Sequence, residues 1–381
     1  MIAVGLMSGT SLDGVDAALC RITPRAESYD VQLLKFATEP FSEELAAEIR
    51  AALPPNSGST QAVAALHRKL GEAFARAARA VAGATTIDYV ASHGQTIWHD
   101  GERKWTLQIA DAFAIREIMG VTVCYDFRSA DVAAGGHGAP LVPYVDAVLL
   151  GSTVENRVAV NIGGIANLSI LPKNALADDV LAFDSGPGNM LVDAFVRERS
   201  GGDVRYDEGG TLASAGVVND EALRAMLADA YFALAPPKTT GRERFGAQFL
   251  REHDAVLHDL SLEDGAATLA ALTAVTLAEV VTAYAPAGAR VLLSGGGVHN
   301  GAIVGGLKQR LAGFAVEGSD AMIDPDAKEA LAFALLGYET LRERAANIPK
   351  ATGARRAVPL GALAPHGLRA LLARMDAECR T

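Results

Sequence analysis

Five polar, glycine-bearing segments in this chain could do phosphate and hydroxyl chemistry. They are Met7-Ser8-Gly9-Thr10-Ser11, Ser92-His93-Gly94-Gln95-Thr96, Asn161-Ile162-Gly163-Gly164-Ile165, Asp184-Ser185-Gly186-Pro187-Gly188 and Ser294-Gly295-Gly296-Gly297. A polyphosphate needs donors that approach closely, and backbone N–H groups in a turn supply them only where no Cβ intrudes. The first and third segments would each present amides to one side of a polyphosphate. No G-x-x-x-x-G-K-[ST] run is present, so this is not a P-loop chain. No G-x-G-x-x-G opens a helix after a strand either, so a dinucleotide fold is unsupported. Asp184 follows the apolar run Val180-Leu181-Ala182-Phe183. A carboxylate there can act as general base on a hydroxyl or water, or equally cap the turn and helix that follow. His93 and His99 lack the spacing of a helical metal pair, and His93 suits a hydrogen bond to a polar substrate better. The run Lys238 to Glu243 reads as a solvated turn, or as one that brings Lys238 or Arg242 to an anion.

These segments need strands to hold them. Apolar runs predict strands over 2–7, 15–22, 87–91, 106–109, 121–126, 157–162, 167–171, 180–183 and 290–293. Helical spacing appears over 43–53, 62–82, 111–119, 141–150, 189–197, 220–230, 266–284 and 326–344. Each half opens with a strand, a glycine turn and a strand, and later runs through a helix to a strand with a glycine-rich end. That pattern is an architectural repeat without sequence identity. At 381 residues the chain exceeds what one core usually organises. The expected fold is α/β, with two domains of mixed sheets and ligands at the strand ends.

Net charge is 34 minus 45, or −11, and the only basic cluster is Arg355-Arg356, so a nucleic-acid partner is not expected. Cys20, Cys124 and Cys379 are odd in number and widely spaced, which fits a reducing compartment and neither a disulfide framework nor a zinc site. The opening MIAVGLMSG has no basic region or cleavage site, and the apolar runs carry Thr and Glu, so no targeting or membrane segment is expected.

From Gly5 to Asp16 the sequence Gly-Leu-Met-Ser-Gly-Thr-Ser-Leu-Asp-Gly-Val-Asp closely resembles the opening of the anhydro-N-acetylmuramic acid kinases. The resemblance continues through Ser92 to Thr96, Asp126-Phe127-Arg128, Asp131 to Gly136, Asn161 to Asn167, Phe183 to Asn189, Pro237 to Glu243 and Ser294 to Asn300. It spans Gly5 to about Gly353. It implies the actin–hexokinase superfold, with two ribonuclease H-like domains facing a central cleft. Residues 1–150 would form the sugar-side domain with the first phosphate loop. Residues 151–381 would form the nucleotide-binding domain, the last helical segment being a candidate to return to the first.

The family takes 1,6-anhydro-N-acetylmuramic acid, ATP and water. It opens the anhydro bridge and phosphorylates the freed 6-oxygen, giving N-acetylmuramic acid 6-phosphate and ADP in cell-wall recycling, with magnesium accompanying the nucleotide. By this resemblance Asp184 activates the water, and Glu329 in Glu329-Ala-Leu-Ala-Phe-Ala334 helps place substrate or water. ATP would lie on Gly9, Thr10, Ser11, Leu12, Asp13, Gly14, Val15 and Asp16, on Asn161, Gly163, Gly164 and Gly186, and on Gly295, Gly296 and Gly297. The sugar would meet His93, Gln95, Thr96, Arg128 and Asp131, with Arg128 a candidate for the acidic lactyl group. Ordinary sugar kinases of the superfold carry an aspartate just before the first Gly-Thr. Here Leu6 and Met7 stand there, leaving the metal unassigned among Asp13, Asp16 and Asp184. A cytoplasmic homodimer is expected, with no nucleic acid and no membrane. Two rivals remain: a conventional kinase of another free sugar, and a nucleotide-binding switch of the same superfold.

Overall fold

Strand β1 (Ile2–Ser8) is apolar nearly throughout and pairs antiparallel with β2 (Gly14–Pro24), which pairs antiparallel with β3 (Tyr29–Pro40). On the other side of β1 lies β4 (Tyr89–Asp100), parallel to it, and then β6 (Thr122–Tyr125), parallel to β4. The hairpin partner β5 (Trp105–Ile109) pairs with β4, and β12 (Ala362–Ala364) closes the edge beside β6. These strands belong to one compact unit, Met1–Leu149 with Ala327–Thr381. A second unit, Leu150–Asp326, repeats the plan. There β7 (Arg157–Ile162), β8 (Ile165–Leu171) and β9 (Leu181–Pro187) form the antiparallel meander, and β10 (Arg290–Ser294) and β11 (Ala315–Gly318) add in parallel beyond β7. The orders β3-β2-β1-β4-β6 and β9-β8-β7-β10-β11 are one topology used twice. This is the ribonuclease H-like order, and it bears out the expected mixed sheets and the architectural repeat. The computed structural model describes residues 1–381 apart from 10–11, 26–28, 55–57, 176–178, 320–323, 325 and 379–381.

The first sheet carries a core on each face. Val4, Leu6, Val15, Ala17 and Leu19 pack toward the helix Thr60–Ala82. Ala3, Ala18, Cys20, Tyr89 and Ala91 pack toward the helix Lys328–Leu341. The small residues on that second face set a close approach: a Cβ on Gly5 would lie 1.9 Å from the Ala330 carbonyl, and one on Gly337 would lie 2.6 Å from Ala91 Cβ. In the second unit, the helix Leu262–Tyr284 is long and apolar enough to cross a membrane by length and composition. Its Leu269, Leu272, Leu277 and Val281 are buried in that unit's own core.

The structure differs from the sequence reading at the domain boundary and in several strands. Residues 327–381 pack into the first unit, as the candidate return of the last helical segment would have it, and the second unit ends at Asp326. Strand β3 has no counterpart in the sequence pattern because it is an edge strand whose charged and half-buried residues blur the period of two. Strand β4 does not end at Ala91; it continues through the polar Ser92–Thr96, which is held by pairing with β1 and β5. Likewise β9 runs through Asp184 to Pro187 because β8 offers partners that far.

Candidate active site

Asp184 sits within β9, opposite Asn167, half-buried rather than beyond the strand's end. Its Oδ2 accepts the Thr240 amide at 2.8 Å, and its own amide donates to the Lys238 carbonyl at 3.1 Å. The Tyr231 hydroxyl donates to the Asp184 carbonyl at 2.8 Å. Burial pushes the Asp184 carboxyl up and Glu243 adds to it, while the Thr240 amide and Lys238 pull it back, for a pKa of about 7. Lys238 is not the solvated cation of a surface turn. It is buried, donates to the Tyr231 carbonyl at 3.2 Å and lies 4.6 Å over the Tyr231 ring. Thr240 lay inside a segment singled out from the sequence, whereas nothing in the sequence pointed to Tyr231.

The glycine loops of this unit gather at the ends of β7 and β9. The Gly188 and Asn189 amides donate to the Gly164 and Gly163 carbonyls at 2.8 and 2.9 Å, and the Thr273 hydroxyl donates to the Gly188 carbonyl at 2.7 Å. A trans peptide sets each C=O opposite the next N–H, so the Gly164 and Ile165 amides point away from that loop. Glycine is needed here for two different reasons. A Cβ on Gly188 would lie 2.0 Å from the Gly163 carbonyl, and one on Gly295, at φ +84°, would lie 2.5 Å from Asn161 Oδ1. Gly297 is closed off by Ile162, and Gly186 by Phe232. At Gly296, by contrast, a Cβ would meet nothing within 4 Å, and at Gly163 nothing closer than 3.4 Å. The protein's own packing does not demand glycine at those two positions.

In the first unit, Ser8 at the end of β1 donates to Gln95 Oε1 at 2.6 Å, joining the first hairpin to the Ser92–Thr96 run. Thr10 and Ser11 lie outside the described residues. Leu12 is buried at φ 58°, a region bulky residues seldom adopt, and Val15 is wholly buried, so both can offer a ligand only backbone. Gly14 lets β3 come close: its Cβ would lie 2.3 Å from the Glu39 carbonyl. Asp13 is exposed, and Asp16 accepts the Thr38 hydroxyl at 2.6 Å. Thr96 accepts from Gln108 at 3.2 Å.

Two expected sugar contacts are otherwise engaged. His93 is almost wholly buried, with Nδ1 2.9 Å from the Gly94 carbonyl and Nε2 2.9 Å from Arg128 Nε. Asp131 is fully buried and accepts from the Gly138 amide at 2.8 Å, Asn347 at 2.6 Å and Thr352 at 2.7 Å, leaving no side for a sugar hydroxyl. Arg128 is half-buried and also donates to the Gly138 carbonyl at 2.7 Å. Burial pushes its pKa down to about 10, with Glu329 and Asp131 opposing, so it stays charged at neutral pH.

Glu329 is exposed in the first turn of the helix Lys328–Leu341. The protein packed around its carboxyl raises the pKa, Lys328 and Arg128 lower it, and Asp16 raises it. Glu329, Arg128 and Asp16 thus share one electrostatic neighbourhood. Lys328 itself is held in a buried pair with Asp146 at 2.7 Å. Among the described residues no group of three His, Cys, Asp or Glu forms a metal cage. Magnesium held by one or two carboxylates and by phosphate oxygens needs no such cage.

The family profile described as anhydro-N-acetylmuramic acid kinase matches residues 1–366. An anhydro-N-acetylmuramic acid kinase of Caldanaerobacter subterraneus subsp. tengcongensis is 40% identical over 380 residues, covering 94% of this chain and 96% of that one. The Streptomyces coelicolor protein of the same name is 40% identical over 373 residues, covering 96% and 94%. Among solved structures, a ROK family glucokinase from Streptomyces griseus is 12% identical with a TM-score of 0.38, covering 88% of this chain and 99% of its own. With its motifs gathered on a repeated ribonuclease H-like frame and its relatives aligned along nearly their whole length, this chain belongs to the anhydro-N-acetylmuramic acid kinase family.

Proposed function

We propose that the kinase activity of this family runs here on Asp184 as the general base that activates water for attack on the anomeric carbon of 1,6-anhydro-N-acetylmuramic acid. The observation that carries this reading is the state of that carboxyl. One oxygen is pinned by the Thr240 amide, and burial holds the pKa at about 7. Water is a poor nucleophile at neutral pH, and a base works best with a pKa near the working pH. ATP is the phosphoryl donor, and the magnesium accompanying it would be held by one or two carboxylates from among Asp13, Asp16 and Asp184 and would offset the phosphate charge. Gly163 and Gly296, where the protein leaves room for more than a hydrogen atom, let the backbone approach those phosphates.

Glu329, at a helix N-terminus that favours a carboxylate, orients the sugar or water, and Arg128 receives the sugar's lactyl carboxylate. As the bridge opens, the leaving 6-oxygen gains charge and attacks phosphorus, so the two steps need no separate acid. Positioning then supplies most of the rate.

The test is to supply ATP with either the anhydro sugar or free N-acetylmuramic acid in ¹⁸O-water. The expected result is a 6-phosphate from the anhydro sugar, with the label at the anomeric oxygen. Phosphorylation of the free sugar alone would favour a conventional sugar kinase.

A further inference from the structure

His93 and Asp131 look like two sugar ligands, but His93 meets the Arg128 guanidinium and Asp131 holds Gly138, whose carbonyl meets it too. Arginine has donors only, so the 2.9 Å contact from Arg128 Nε requires a lone pair on His93 Nε2. The ring proton must then sit on Nδ1, which faces an acceptor, the Gly94 carbonyl, at 2.9 Å. The two neighbours demand the same tautomer. Gly94 can turn its carbonyl there because it takes φ +75° inside β4, where the pairing with β1 shifts register between Leu6 and Ser8. The Phe333 ring lies 4.6 Å from the imidazole and fixes its plane. Burial, then Arg128, holds the His93 pKa well below the ordinary histidine value, so the ring stays neutral and able to accept. From the other side, Asp131 holds the Gly138 amide at 2.8 Å, and the Gly138 carbonyl accepts from Arg128 Nη1 at 2.7 Å.

We propose that His93 and the Asp131–Gly138 unit form a two-sided clamp that aims Arg128, so that His93 is a positioning residue for recognition of the sugar's carboxylate and not itself a sugar ligand. This rests on the reading of Arg128 as the carboxylate's partner. A free arginine side chain loses much rotamer freedom when it binds, and a pre-aimed one has already lost it. The consequence is specificity for an acidic sugar over a neutral one of the same shape.

The test compares kcat/KM for the anhydro sugar acid and its primary amide in the wild type, Arg128→Met, His93→Phe and His93→Gln. Phe keeps the ring contact with Phe333 and has no acceptor; Gln restores an acceptor. A hydrogen bond to a charged group is of a size that predicts loss of about tenfold to a hundredfold of the acid preference in His93→Phe. The KM for ATP should stay unchanged, and His93→Gln should recover part of the preference. Full preference in His93→Phe would overturn the clamp. Equal preference in the wild type and Arg128→Met would overturn the carboxylate reading, and the clamp with it, while ADP release from the acid would still report the kinase reading separately. Should His93→Phe fail to fold, ¹⁵N spectra of the wild-type imidazole decide. A protonated Nδ1 with a bare Nε2 is expected, and a proton on Nε2 would contradict the clamp.

Discussion

The two sheets share one strand order and equip their equivalent strands differently. Strand β4 in the first unit and β10 in the second both lie parallel to the opening strand of their sheet. The first continues past Ala91 into His93, Gln95 and Thr96, while the second stops at Ser294 and gives way to Gly295–Gly297. Strands β3 and β9 are likewise equivalent, and β9 carries Asp184, whose pKa burial lifts to about 7. One frame thus ends in polar side chains held by protein partners, and the other in glycine backbone beside a strand that carries a buried carboxyl. The strand plan fixes where a site falls, and the residues at each strand's far end decide its chemistry.

The largest effect should come from the residue that most separates the two units. Asp184→Asn keeps shape and removes the proton acceptor, and turnover should fall about 10²–10⁴-fold. The same change should leave a mark on stability. With a folded pKa of about 7 against 3.8 for the ordinary carboxyl, the native state holds a proton that the unfolded chain releases. Stability therefore falls as pH rises from about 4 to about 7. Melting temperatures at pH 5 and pH 8 should show the variant gaining on the wild type at pH 8. A loss at both pH values would mark Asp184 as a structural cap.

The next contrast lies among the glycines. Gly296→Val, where a Cβ meets no protein atom, should raise the KM for ATP by about tenfold or more and leave the melting temperature alone. Gly188→Ala, 2.0 Å from a carbonyl oxygen, should instead cost about 1–3 kcal/mol by overpacking, lowering the melting temperature by several degrees. Reversed outcomes would mean that Gly296 serves only its turn.

The smallest effect is on the pH profile. In the wild type, kcat/KM should rise with pH through an apparent pKa near 7, because only the ionised Asp184 accepts a proton. Lys238 lowers that pKa, so Lys238→Met should move the limb upward. A limb that stays in place would remove Lys238 from the electrostatics of the base.

Much of this was legible in the sequence. The glycine segments and Asp184 announced themselves because turns and close approaches restrict residue type locally. The repeated hairpin followed from apolar runs at matching positions. What stayed hidden depends on distant partners. His93 reads as a ligand until Arg128, 35 residues on, takes its Nε2. Asp131 reads as an open acceptor until Asn347 and Thr352, more than 200 residues away, fill it. Lys238 reads as a surface cation until Tyr231 covers it. Strand β3 was hidden for another reason, since half-buried edge residues need no alternation.

If Asp184 activates the water, bridge opening and phosphoryl transfer are coupled through it. The direct measurement follows anhydro-bridge opening and ADP release side by side, in the wild type and in Asp184→Asn, at saturating ATP and sugar. Both products should appear in equal amounts in the wild type and fall together, by the same factor, in the variant. Bridge opening at the wild-type rate in Asp184→Asn would show that another group is the base, and ADP release without bridge opening would break the coupling.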